Sequence, residues 1–301
     1  MSTGWLAAPV DPLAVLAAYD AQVRRDPPAQ PGVRMERDRW VTRVGSADGL
    51  GWNAVVWSDP DLGDTDVDAV VAEQVRRFRG LEWEWKHYSH DQPPDLPDRL
   101  RAAGLVPEPP ETLMVAEVAE LDLDVPPLPG VDVVLVDDED GIAAMGRVHE
   151  AVFGGEHSAI AGVLRAGLAQ RPRTMQGVVA SAGGEPVAAG RVDLTPGTDF
   201  ASLWGGGTLA GWRGRGVFRA LVSRRAALAA ERGFRYLQVD ASADSRPILR
   251  RLGFVELATT TPWTHPSEGV RADSALAGHP ACAVVLVVRL DGSTGVEVVE
   301  G

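Results

Sequence analysis

The stretch Thr208-Leu-Ala-Gly-Trp-Arg-Gly-Arg-Gly-Val-Phe-Arg-Ala-Leu221 decides how this chain is read. An apolar, strand-like run from Phe200 to Leu209 feeds a basic, glycine-punctuated turn, and an alanine-rich helical run follows at once. Gly214 and Gly216 carry no Cβ, so the backbone can turn tightly there and bring N–H groups close to an anion. The first turn of the helix adds unpaired N–H groups and the positive end of the dipole. Arg213, Arg215 and Arg219 place positive charge around the same point. The pattern predicts a strand, a turn and a helix that hold a diphosphate. Other phosphate motifs do not fit. A Walker loop needs Lys-Ser/Thr after its last glycine, where Val217-Phe218 stands. A dinucleotide fingerprint needs glycine at the place of Arg219.

Outward from that turn, 301 residues favour two domains, and an apolar share of 45% supports packed cores. The net charge of −13 argues against a nucleic-acid surface or an anionic membrane as partner. Cys282 has no second cysteine to pair with, which suits a reducing compartment. No run approaches ~20 uninterrupted apolar residues and no basic segment precedes the short apolar run at the start, so the expectation is a soluble, cytoplasmic protein. Lys86, the only lysine among many arginines, is read as a trace of GC-rich coding.

The first half reads as a helix at 11–25, strands at 40–46 and 52–58 around an Ala47–Gly51 turn, and a helix at 66–79 stopped by Gly80. A strand at 81–89, a helix at 95–103 and a strand at 112–118 follow. The Trp83/Trp85/His87 alternation reads as one packed strand face, and the His87/His90 pair lacks the further ligands that a metal needs. The proline-rich segment 124–130 marks a linker between a domain at 1–123 and another at 131–301. The second half reads as strand 131–136, helices 139–153 and 158–169, strands 177–181, 186–194 and 200–209, helix 217–232, strand 235–241, helix 244–252, and strands at 254–260 and 281–290. That order is an α+β sheet, mixed and mostly antiparallel, flanked by helices.

With this order in place, residues 131–290 resemble the GNAT superfamily of N-acetyltransferases. The family's pyrophosphate loop reads Arg/Gln-x-x-Gly-x-Gly/Ala; Arg213-Gly-Arg-Gly216-Val-Phe218 matches two of the three defined positions, with Phe218 departing at the last. Leu237-Gln-Val-Asp-Ala-Ser242 looks like the fifth strand of that fold, and Leu249-Arg-Arg-Leu-Gly-Phe254 like the Leu-Tyr-x-x-Leu-Gly-Phe signature of the next helix. The resemblance implies acetyl-CoA as co-substrate, with no metal, bound where the fourth and fifth strands splay apart. Gly206, Gly207 and Thr208 would meet the pantetheine, and Arg213, Gly214, Arg215, Gly216, Val217, Phe218 and Arg219 the pyrophosphate, with Ser242 beside the cofactor. It implies transfer of the acetyl group to a primary amine of a small molecule or protein, by a monomer or homodimer. The alternative is a non-catalytic CoA-binding sensor of the same fold.

The first half repeats the second in outline. Asn53–Ser58 parallels Phe200–Leu209, and Leu100-Arg-Ala-Ala-Gly-Leu105 parallels Leu249–Phe254. Where the second copy has its basic turn, the first has Asp59, Asp61, Asp64, Asp66 and Asp68, which repel a diphosphate and suit helix capping. The expectation is two tandem GNAT-like folds, the first degenerate and forming one wall of the substrate cleft. Two family residues for proton transfer are missing: Leu249 stands at the usual tyrosine and Gln238 at a glutamate found in some members. The catalytic candidates left are Asp240, Ser245 and Glu150, with Glu156 and His157 on the same side of the cleft as Glu150. His149 reads as a surface or satisfied helical residue, and Trp204 and Trp212 as packing.

Overall fold

Residues 11–29, 33–46, 52–124, 128–154 and 158–265 are described by a computed structural model. The Ala47–Gly51 turn, Glu156, His157, Cys282 and the strand expected at 281–290 lie outside them. In the first half, α1 (Pro12–Tyr19) starts under an Asp11 side chain that accepts from Leu13 N–H, with Pro12 at its first turn, and runs on as a π-helical turn, Asp20–Arg25. Strands β1 (Val33–Arg37), β2 (Val41–Ser46) and β3 (Asn53–Ser58), helix α2 (Val67–Arg77), β4 (Trp83–Tyr88), α3 (Leu96–Ala102), β5 (Val106–Pro107) and β6 (Glu111–Glu117) follow. The second half contains β7 (Val131–Val136), α4 (Glu139–Phe153), α5 (Ser158–Ala169), β8 (Met175–Ala182), β9 (Glu185–Leu194), β10 (Phe200–Thr208), α6 (Val217–Glu231), β11 (Tyr236–Ala241), α7 (Arg246–Arg251) and β12 (Val255–His265). Among the described residues no helix is long and apolar enough to cross a membrane.

The strands form one sheet, in the order β1-β2-β3-β4-β12-β6-β11-β10-β9-β8-β7, with β5 paired to β12. The pairs β3/β4 and β10/β11 are parallel and the other pairs of described strands are antiparallel. Each parallel pair is joined through a helix, α2 or α6, and is followed by a short helix, α3 or α7, and a last strand, β6 or β12. From β1 and from β8 onward the two halves therefore share one order of elements.

They also exchange strands. The last strand of the first half, β6, pairs with β11 of the second, and the last strand of the second, β12, pairs with β4 of the first. The two exchanged strands pair with each other at the centre. A single sheet runs through both halves because each last strand finds its partners in the other half. The cores interlock in the same way. Trp263 of β12 packs with Val55, Leu62 and Trp85, while Met114 and Ala116 of β6 pack with Leu221 and Leu237. Tyr19 meets Phe200 edge-on at 5.5 Å between ring centres, and Phe200 stacks on Tyr236 at 4.9 Å.

The acidic stretch between β3 and α2 behaves as capping predicts. Asp59 accepts from Asp61 N–H and Asp66 from Ala69 N–H, and Leu62 between them is fully buried.

Candidate active site

β10 and β11 stay paired only over Phe200–Ser202 and Tyr236–Gln238. Beyond that, a register shift between Trp204 and Gly207 bends β10 away. Gly205 sits at φ +55° in this bend, and a Cβ there would come within 2.8 Å of the His149 ring. His149, buried on α4, lies with Nε2 2.8 Å from the Gly205 carbonyl oxygen. A carbonyl only accepts, so Nε2 carries the proton and the imidazole pins the bend. The gap between the parted strands is a cavity of about 100 Å³, bordered by Gly206, Phe218, Arg225, Ser245, Leu249 and Glu111 among others. Arg225 is fully sequestered and bonds the carbonyls of Leu221 and Arg191; burial lowers its guanidinium to about 10.

At the outer end of the gap, Gly214 and Gly216 take φ of +73° and +84°, and the space a Cβ would fill at Gly214 is open to 4 Å. Gly216 caps α6 and has no side chain to cover the first-turn N–H groups. Arg213 ties the turn to the strand by donating from Nε to the Thr208 carbonyl at 3.1 Å. Arg215 lies over Trp212, and Arg219 pairs with Asp122 at 2.7 Å. The Thr208 hydroxyl is buried without a partner in the protein. An uncapped helix start, a turn of left-handed glycines and an orphaned strand-end hydroxyl fit a pantetheine diphosphate.

A second cavity, of about 280 Å³, opens between the halves. Its floor is the face of β9, β10 and β11 that carries Arg191, Asp193, Ser202, Trp204, Gln238 and Asp240, and the first half closes it with Tyr19, Trp52, Lys86 and Tyr88 among others. Trp204 and Asp240 line both cavities, so the two meet there. Asp240 receives a hydrogen bond from Lys86 Nζ at 2.6 Å, with side chains 4% and 12% exposed. Burial works against the Lys86 charge, but Asp240, Glu111 and Glu84 hold the ammonium well above the usual lysine range. Glu111 answers in the other direction. Its burial and the nearby charges of Asp240 and Glu84 outweigh Lys86 and push its carboxyl up to about 8.

Residues 156–254 match the Acetyltransferase (GNAT) family model. That part of the chain is similar to the GNAT acetyltransferases. No curated protein gives a sequence match. A solved GCN5-related N-acetyltransferase from Kribbella flavida shares 18% identity over 85% of this chain and 94% of its own, with a TM-score of 0.57. A tandem GNAT protein from the clavulanic acid biosynthesis pathway shares 17% over 85% and 95%, with a TM-score of 0.53. The GCN5-related N-acetyltransferase from Sphaerobacter thermophilus shares 14% over 86% and 87%, with a TM-score of 0.54. At these identities the likeness is one of fold, and it extends across both halves.

Of the residues singled out from sequence, the second half brings Gly206, Phe218, Asp240, Ser242 and Ser245 to the border of the notch between β10 and β11. Gly207 and Thr208 continue the same strand, while Val217 is buried in the core at the start of α6. Ser242 and Ser245 face each other with hydroxyls 3.2 Å apart. Glu150 does not join them: it is exposed on α4 and borders neither cavity, because His149 takes the inward position on that helix. His149 itself holds the strand bend in addition to packing. Lys86 is a correction too, since it is the buried partner of Asp240. Glu111 was missed altogether. The one available signal was Glu84-x-Lys86-x-Tyr88, charged and polar residues that alternate on one face of a strand.

Proposed function

We propose that the protein transfers the acetyl group of acetyl-CoA to a primary amine held between the two halves. The observation that supports this reading best is the meeting of the two cavities at Trp204 and Asp240. One cavity lies where the GNAT notch takes a thioester, and the other is large enough for a small-molecule amine. In this reading Gly206, Gly207 and Thr208 hold the pantetheine arm, and Arg213 to Arg219 with the α6 N-terminus hold the diphosphate. Bound acetyl-CoA would supply an activated acyl carbonyl. The first half, with carboxylates in place of the basic turn, serves as a wall of the acceptor site.

The protein's own groups handle charge and protons. Asp240 Oδ2 faces Lys86, and Oδ1 has no partner in the protein, so Oδ1 can take an N–H of the acceptor. The Lys86 ammonium beside that position lowers the proton affinity of a bound amine, as like charges do. Glu111 stays protonated below about 8 and borders the notch together with Leu249, the position where the family's tyrosine is missing. It holds a proton where a leaving thiolate needs one. Release of free thiol from acetyl-CoA across a panel of amines tests the reading. Turnover with at least one amine is expected, and CoA binding without turnover on any amine would favour the sensor instead.

A further inference from the structure

The floor of the acceptor cavity carries three buried polar atoms that the protein itself does not satisfy. Arg191 is 2% exposed; its Nε donates to Asp193 at 3.0 Å, while Nη1 has no partner in the protein. Gln238, also 2% exposed, donates from Nε2 to Ser202 Oγ at 2.9 Å and leaves Oε1 unmatched. Asp240 spends one oxygen on Lys86 and leaves the other unmatched. Buried groups of this kind are costly unless something completes them. All three side chains border the same cavity.

Their signs differ. Arg191 offers a cationic donor, while Gln238 and Asp240 offer acceptors, one of them anionic. Strand register sets them side by side: Arg191 faces Trp204 across β9 and β10, Ser202 faces Gln238 across β10 and β11, and Asp240 follows Gln238 by two. β10 lies between β9 and β11, so their backbones stand two strand spacings, about 10 Å, apart, and a guanidinium reaching from β9 and a carboxylate on β11 can grip one small molecule at both ends. Two ion pairs border the cavity, Lys86–Asp240 and Arg191–Asp193, and present matched charges despite the protein's net −13. A polyamine would set its second cation against Arg191 or Lys86. The remaining wall is apolar, formed by Met35, Val56, Trp52 and Met175 among others.

We infer that the acceptor is a zwitterion with an apolar body, an apolar or aromatic α-amino acid whose amine meets Asp240 and Gln238 and whose carboxylate meets Arg191. This rests on the acetyltransferase reading above and names its substrate class. The test compares phenylalanine, leucine and methionine with their amides and with the corresponding decarboxylated amines on the wild-type full chain. Thiol release and calorimetric binding are both measured. Loss of the carboxylate removes a charge-assisted bond, so kcat/KM is expected to fall about 10- to 100-fold for amides and plain amines. Arg191→Gln should erase that preference while acetyl-CoA binding persists; the ligand series itself needs no folded variant. Equal or better turnover of the plain amines or of spermidine would overturn the inference and leave the acetyltransferase reading intact. Failure to bind acetyl-CoA would sink both. Calorimetric binding of phenylalanine without turnover would keep the acceptor class and count against the transfer reaction.

Discussion

Glu111 carries the account at the scale of one residue. Its carboxyl is neutral up to about 8 because it is buried beside Asp240 and Glu84, and it borders the notch together with Leu249. If it is the proton donor, kcat falls as pH rises through about 8, and Glu111→Gln lowers kcat while removing that limb from the pH profile. An unchanged limb in the variant would assign the proton elsewhere. Stability gives an independent readout. A carboxyl raised from 4.5 means that the folded protein binds more protons than the unfolded chain between 4.5 and about 8, so Glu111 erodes stability as pH rises through that window. The Gln variant should show a shallower decline in denaturant midpoint across the same range. Asp240 drew attention in the sequence because it stands within the fifth-strand motif Leu237–Ser242. Lys86, 154 residues away, did not, because ion-pair partners at that separation leave no local periodicity.

At the scale of elements, the bend in β10 is the part that makes a notch out of a sheet. Gly205 is held at a positive φ with His149 against it, so an added methyl meets both backbone strain and the ring. Gly205→Ala should cost ~1–2 kcal/mol from the left-handed backbone alone. It should also weaken acetyl-CoA binding. Measured together, a denaturation midpoint and a dissociation constant that both stay at wild-type values would show that the bend tolerates a side chain and does not shape the site. The run Trp204-Gly-Gly-Gly-Thr208 announced this bend in the sequence, since glycines at that density leave a strand free to part from its neighbour. The turn and α6 were equally legible, for their signals are local: glycine punctuation, arginines and an alanine-rich run. β1 was not, because its residues are mostly exposed and show no buried alternation. β12 extends through Pro262 to His265, farther than a proline-bearing run suggests, because the sheet pairs it on both sides.

At the scale of the whole molecule, strand exchange decides how the halves depend on each other. β6 and β12 form the centre of the sheet, and the Lys86–Asp240 pair spans the two halves. Removing one half would uncover the edge of β11 or β4 and leave a buried charge unpaired, which costs ~3–5 kcal/mol by itself. The full chain should therefore unfold in one transition, with calorimetric and van't Hoff enthalpies in agreement. Two resolved transitions, or a second half that folds alone at the same midpoint, would contradict this. The repeat was readable in the order of strands and helices. The exchange was not, because the apolar run Leu113-Met-Val-Ala116 says that the strand is buried and nothing about which strand lies beside it.

The central claim is that one half of this repeated fold is equipped to hold CoA and the other is not. Calorimetric titration of the full chain with acetyl-CoA tests it most directly, run alongside Gly216→Glu. That substitution places a carboxylate on a left-handed position at the start of α6. The account expects one site per chain in the wild type and none in a variant that stays folded. No binding by the wild type, two sites per chain, or binding that survives Gly216→Glu would contradict it.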